Sequence, residues 1–164
     1  MKYRSFTSVI LALVLILLSG CSTEPKKFIK NEFSIILDSS FKEIENDSAF
    51  AFYSSSDCSV VCTKEDFSKL ENGAQISIER YAELIIENNP DYNATLVCEN
   101  GFYFLEYENK ADRKNFYYNS YLFKGEDAFY TVHFAKASKK DNQNSKDIFN
   151  EWAKTVVITK PFVK

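Results

Sequence analysis

Ten unbroken apolar positions, Val9 to Leu18, follow a short basic start carrying Lys2 and Arg4, and no later stretch of the chain is apolar for so long. Ten residues of helix rise only ~15 Å at ~1.5 Å each, about half the ~30 Å hydrocarbon core of a bilayer. The run therefore reads as the apolar centre of a signal peptide rather than as a membrane span. Residues 22–31, Ser-Thr-Glu-Pro-Lys-Lys-Phe-Ile-Lys-Asn, then read as a polar tether, at most ~35 Å long when fully extended.

Beyond the tether the pattern alternates between the two periods of regular structure. Phe33 to Leu37 is a short apolar run. Ala49 to Tyr53 and Cys58 to Thr63 read as two strands joined by Ser54-Ser55-Ser56-Asp57, a hairpin. Ser77 offers an N-cap, Ile76 and Tyr81 are placed as a hydrophobic staple, and Ile78, Tyr81, Ala82 and Ile85 recur at i, i+3, i+4 and i+7. This spacing predicts a helix over Ile78 to Asn88, ended by Asn89-Pro90.

After Pro90 the period is two. Strands are predicted at Ala94 to Cys98, Phe102 to Glu108, Phe116 to Lys124 and Ala128 to Lys136, separated by Glu99-Asn100-Gly101, the charged stretch Asn109 to Lys114, and Gly125-Glu126-Asp127. Together they make an antiparallel meander with aromatics on both faces, for example Tyr103, Leu105 and Tyr107 against Phe102 and Phe104. A sheet apolar on both sides must be covered on both sides. The polar run Ser138 to Ser145 reads as a loop, and Ile148, Phe149, Trp152, Ala153 and Val156 predict a closing helix that stops before Pro161. The fold class is α+β, an antiparallel sheet flanked by helices, in a single domain over residues 32–160.

Leu18-Ser19-Gly20-Cys21 changes this picture by fixing an expected location. The four residues resemble the lipobox of bacterial lipoproteins, in which small residues ahead of the cysteine admit the signal peptidase and the thiol accepts a diacylglyceryl group. The resemblance implies a signal peptide over residues 1–20 recognised through Leu18, Ser19 and Gly20, cleavage before Cys21, and a chain held by lipid on the extracytoplasmic face of the cell membrane. Acyl chains contribute ~0.8 kcal/mol per buried CH₂, so two or more hold a protein where one does so only marginally. Lys26, Lys27 and Lys30 either touch anionic headgroups or belong to a solvated linker.

Removing residues 1–20 takes away Lys2 and Arg4 and moves the formal charge from −3 to −5. A basic nucleic-acid footprint is absent, so no nucleic-acid partner is expected. Fifteen Phe and ten Tyr against four Gly and three Pro describe a packed fold rather than a disordered stalk. Three cysteines remain, at 58, 62 and 98. Cys58 and Cys62 on one strand lie ~13 Å apart at ~3.3 Å per residue, too far to bridge. Either can pair with Cys98 in an oxidising compartment, or all three serve as small apolar residues. Cys-x₃-Cys with one histidine in the chain is a poor zinc set, and no metal or cofactor is expected.

Catalytic signatures are missing: there is no Gly-rich phosphate loop, no Gly-x-Ser-x-Gly and no His-Glu-x-x-His. No catalytic residue is assigned and the chain is not expected to be an enzyme. His133 is the single histidine, so any imidazole acid/base chemistry has to run through it, and a structural strand histidine is the simpler reading. Glu106 with Glu108, and Glu126 with Asp127, are paired carboxylates on a strand and in a turn, where no cleft is expected to place them across a scissile bond. Tyr117, Tyr118 and Tyr121, with Phe123 and Asn119, are the candidate stacking platform for a sugar ring or partner peptide. On a two-faced sheet the same residues also read as core. The candidate ligand-binding set is Tyr117, Tyr121 and His133.

The order of elements is similar to the PsbP-like family. The matching pieces are Ile76 to Ile86, Asn100-Gly101-Phe102-Tyr103 through Tyr107, Phe116-Tyr117-Tyr118, Asp127 to Val132 and Ile148 to Val157, spread over roughly residues 30 to 160. The resemblance implies an antiparallel sheet flanked by helices, and a small non-enzymatic domain that binds or stabilises a larger assembly. It carries over no functional residue, since nothing here matches the ion-binding or docking residues of the photosystem branch. The expected role is a membrane-anchored binding or accessory module with a protein partner in the envelope; the alternative is a lipoprotein that binds a cell-wall sugar or small solute.

Overall fold

In the computed structural model residues 24–111, 113–138 and 142–159 are described. Cys21 and the preceding Leu18, Ser19 and Gly20 lie outside them. The chain forms β1 (Pro25–Lys30), β2 (Phe33–Asp38), β3 (Lys42–Glu43), β4 (Ala51–Ser54), β5 (Cys58–Asp66), α1 (Ile78–Asn88), β6 (Thr95–Glu99), β7 (Phe102–Ala111), β8 (Lys114–Lys124), β9 (Ala128–Ala137), α2 (Gln143–Ala153) and β10 (Val157–Ile158). Two antiparallel sheets result, one ordered β1-β2-β10 and the other β3-β4-β5-β9-β8-β7-β6.

The expected hairpin (β4–β5), the expected meander (β6 to β9) and the fold class are all present. Helix α1 has the expected limits because its cap forms: the Arg80 N–H donates to Ser77 Oγ at 3.1 Å. Asn100 and Gly101 both take positive φ, 55° and 81°, which a two-residue turn of type I′ between β6 and β7 requires.

Three expectations are corrected. Residues 25–30 are not tether but strand β1, paired with β2 from Pro25↔Asp38 to Lys30↔Phe33. Only Phe28 of that strand is buried, its ring centroid 4.7 Å from that of Tyr53, so the segment carries too little apolar signal to be read as a strand by itself. Asn31, with φ 52°, makes the tight turn that doubles the chain back. The polar run 138–145 is not all loop, for α2 begins at Gln143 and buries Ser145. That helix ends at Ala153, short of Val156, and the chain turns through Thr155 into β10, which pairs with β2. Thr155 Oγ1 accepts from the Ile36 N–H at 2.9 Å and donates to the Trp152 carbonyl at 2.7 Å, so the turn is tied both to the helix and to β2.

Both faces of the seven-stranded sheet are covered, as its aromatic content demands. On one face α1 packs Tyr81 and Ala82 against Leu105, Leu122 and Phe129. On the other, α2 and the three-stranded sheet enclose a larger core that includes Phe33, Ile35, Phe104, Tyr121, Phe134 and Phe149. The two sheets are also joined by a partly buried ion pair. Glu32, in the β1–β2 turn, accepts from Lys64 Nζ of β5 at 2.8 Å and from the Tyr130 hydroxyl of β9 at 2.9 Å. Burial pushes the Glu32 carboxyl up, yet these bonds hold it below the ordinary carboxylate range.

Candidate functional site

A groove lies between α1 and the segment that leads into it. After β5 the chain makes two single 3₁₀ turns, Phe67–Lys69 and Gly73–Gln75. Gly73 crosses Phe67 so closely that a Cβ would sit 2.4 Å from the Phe67 carbonyl oxygen, and only glycine fits. The Phe67 ring packs edge to face on Phe129 at 5.0 Å. From the end of β8, Lys124 Nζ donates to the carbonyls of Ala74 and Ile76 at 2.8 and 2.7 Å. These contacts pin the segment beside α1 and leave a groove of about 720 Å³, lined among others by Glu65, Leu70, Asn72, Gln75, Tyr81 and Asn88.

Tyr81 forms its floor. The ring stacks on Phe129 at 4.0 Å with an interplanar angle of 8°, and the hydroxyl donates to Glu65 Oε2 at 2.8 Å. Burial, reinforced by the Glu65 carboxylate, pushes the Tyr81 phenol up, so it stays a neutral donor. Arg80 at the rim is held by Glu83 and Glu87, each at 2.8 Å, and its charge is matched on its own helix. The walls thus offer amide donors and acceptors beside Leu70, Ile76 and Ile85. Lys69, Glu71 and Arg80 also line the groove, so charges of both signs stand beside the amides, and such walls suit a polar or peptide-like surface without a large net charge.

Tyr117, Tyr121 and His133 are not brought together, which corrects the expected ligand-binding set. Tyr121 is fully buried beneath α2, stacked on Phe104 at 4.8 Å, with its hydroxyl donating to Asn150 Oδ1 at 2.6 Å. Tyr117 is buried against Phe149 on the same face. Burial pushes the Tyr121 phenol up to about 12. With Asn119 between them also buried, these tyrosines are core and offer no exposed platform. Tyr118 points to the opposite face, where it stacks on Tyr107 at 4.9 Å, and Tyr107 on Tyr92 at 5.2 Å.

His133 belongs to that opposite face too. Its Nδ1 is 2.7 Å from Ser120 Oγ, which itself donates to the Tyr107 hydroxyl at 3.3 Å. Burial lowers the imidazole to about 4, so it is neutral at pH 7. Ser120 is 1% exposed, so its hydroxyl lies beneath the surface of the sheet, whereas the His133 side chain is only partly buried. The paired carboxylates are engaged elsewhere: Glu106 with Lys146 at 3.6 Å, Glu108 with Ser138 and Asn142, and Asp127 with Lys64 at 3.5 Å. Among the described residues no group of three or more His, Cys, Asp or Glu side chains is arranged to hold a metal ion, and no helix is long and apolar enough to cross a membrane.

The groove residues Glu65, Asn72, Gln75 and Asn88 carry no periodic signal. The pair Asn72-Gly73, a turn marker ahead of a capped helix, is the one local hint.

No family model matches the chain, and no curated protein matches it. Solved structures do. The yeast Ran-binding protein Mog1p, from Saccharomyces cerevisiae, is similar with a TM-score of 0.55 at 8% identity, over 84% of this chain and 96% of that one. A crystal structure from Bacteroides thetaiotaomicron matches with a TM-score of 0.53 at 16% identity, over 82% of this chain; the chain spans only 48% of that protein's length. Cyanobacterial PsbP from Synechocystis is also among the matches, with a TM-score of 0.47 at 9% identity, over 86% of this chain and 96% of that one. At these identities the likeness is one of fold, an α+β domain built on antiparallel sheet.

Proposed function

We propose that this chain is a lipid-anchored, extracytoplasmic accessory module that binds a protein partner without catalysing a reaction. The observation that carries the reading is the groove beside α1: open, polar-walled and floored by a neutral tyrosine, with the chain's one histidine elsewhere on the same sheet, hydrogen-bonded to Ser120. Leu18-Ser19-Gly20-Cys21 supports the location. Mog1p, a Ran-binding protein of the same fold, is an example of this architecture in a binding role.

A photo-crosslinking residue placed at Asn88 in the full chain, expressed in cells, tests the reading. Mass spectrometry should recover one reproducible envelope protein from position 88, and none from the same probe at Glu151, an exposed position on α2. Adducts absent at position 88, or no more abundant than in a Cys21→Ala chain, would end the proposal. The alternative, a cell-wall sugar or small solute, is favoured by the amide side chains Asn72, Gln75 and Asn88. A saturable rise in Tm of the anchored protein with such a solute, lost in Gln75→Ala, would select it.

A further inference from the structure

We propose that the outer face of the three-stranded sheet is a second membrane contact, lying flat on the leaflet that holds the lipid of Cys21; this rests on the lipid-anchored reading above. Strand pairing defines the face. Ile29 and Val157 both lie opposite Ser34, one from each neighbouring strand, and Lys27 lies opposite Ile36. Residues directly opposite in an antiparallel pair share a face, and in β2 Ser34 and Ile36 alternate with the buried Phe33, Ile35 and Leu37. One side of the sheet is therefore packed into the core. The other presents Ile29, Val157 and Ile36 at 65%, 48% and 37% exposure, three large apolar side chains side by side.

Two further observations select a bilayer as the occupant. Pro25, the first residue of β1, is only four residues beyond Cys21, a reach of at most ~14 Å. Acyl chains inserted at Cys21 would therefore hold β1 within about that distance of the headgroups. The charge also fits: β1 carries Lys26, Lys27 and Lys30, with Lys27 on the apolar side of the sheet. Lys30 is paired with Glu43 at 2.9 Å and Lys26 lies over the Phe28 ring at 4.8 Å, so Lys27 is placed to meet a lipid phosphate. Asp38, the acidic residue at the end of this face, accepts from the Ser40 N–H at 2.9 Å. Exposed apolar side chains with a lysine on the same face have the composition of a surface that seats at the headgroup boundary of anionic membranes.

The full chain, purified from membranes and reconstituted into phosphatidylglycerol–phosphatidylcholine vesicles, tests this with Ile29→Trp in a Trp152→Phe background. Brominated phospholipid, whose bromine sits among the acyl chains where an apolar face buries ~5–10 Å deep, should quench the introduced indole. Val157→Trp provides a second reporter if the first variant loses its far-UV spectrum, and Tyr92→Trp, on the opposite face of the large sheet, should stay unquenched. Vesicle-bound protein with no quenching at position 29 or 157 would overturn the docking while leaving the anchor intact. Protein that fails to stay with the vesicles at all would overturn the anchor and the docking together. A blue shift at position 29 that grows with protein concentration in lipid-free detergent would assign the face to a second copy of the chain, and would also sink the proposal.

Discussion

At the residue scale, His133 shows how position rewrites chemistry. An imidazole with an ordinary value near 6.5 is lowered to about 4 by burial beside Ser120. Folding therefore opposes protonation. Between pH 6.5 and 4 the unfolded chain binds a proton that the native one does not, so stability is present above pH 6.5 and falls as pH drops through 4, by up to about 3 kcal/mol. Denaturant titrations of the wild type and His133→Gln at a series of pH values should show that extra loss in the wild type only; parallel curves would mean the imidazole is accessible. Because it is the chain's single histidine, no other imidazole contributes. The tyrosines teach the same lesson. Tyr117, Tyr118 and Tyr121 look alike in sequence, and strand alternation sends Tyr118 to one face and the other two to the core beneath α2.

At the element scale, what was legible tracks how completely an element declares itself. Helix α1 has a cap, a staple and an apolar stripe within eleven residues, and its limits follow from them. Helix α2 starts with Gln-Asn-Ser-Lys, a polar turn whose place is decided by packing, so apolar spacing alone starts it too late and carries it past its end. Strand β1 offers Phe28 as its only buried residue and owes its order to β2. Phe28→Ala should therefore cost about 3 kcal/mol and expose Lys26, Lys27 and Lys30 to trypsin, while the α1 region keeps its protection. An unchanged Tm with β1 still protected would show that this strand is held by backbone pairing alone.

At the scale of the whole molecule, the decisive pairing is β5 with β9, from Cys58↔Lys136 to Asp66↔Ala128. It joins the early hairpin to the late meander across a long sequence separation, and no local pattern announces it. It also answers the cysteine question. Cys58 and Cys62 are buried on β5, whereas Cys98 is exposed on the edge strand β6; with β9, β8 and β7 between, the separation is about four strand spacings, or ~19 Å. A disulfide needs its Cα atoms within about 7 Å, so no pairing with Cys98 is open, and burial pushes the Cys62 thiol up. Thermal melts with and without reductant should coincide. A drop in Tm on reduction would contradict this topology.

The sequence by itself determined the fold class, the hairpin, the meander, the capped helix and the need to cover both faces of an aromatic sheet, because each is written in residues close together along the chain. The tertiary structure alone decided that a nominal tether is a strand, that the candidate tyrosines are core, and that a glycine-crossed segment and a helix enclose a groove. Those outcomes depend on which distant surfaces meet, and burial there overrides local propensity.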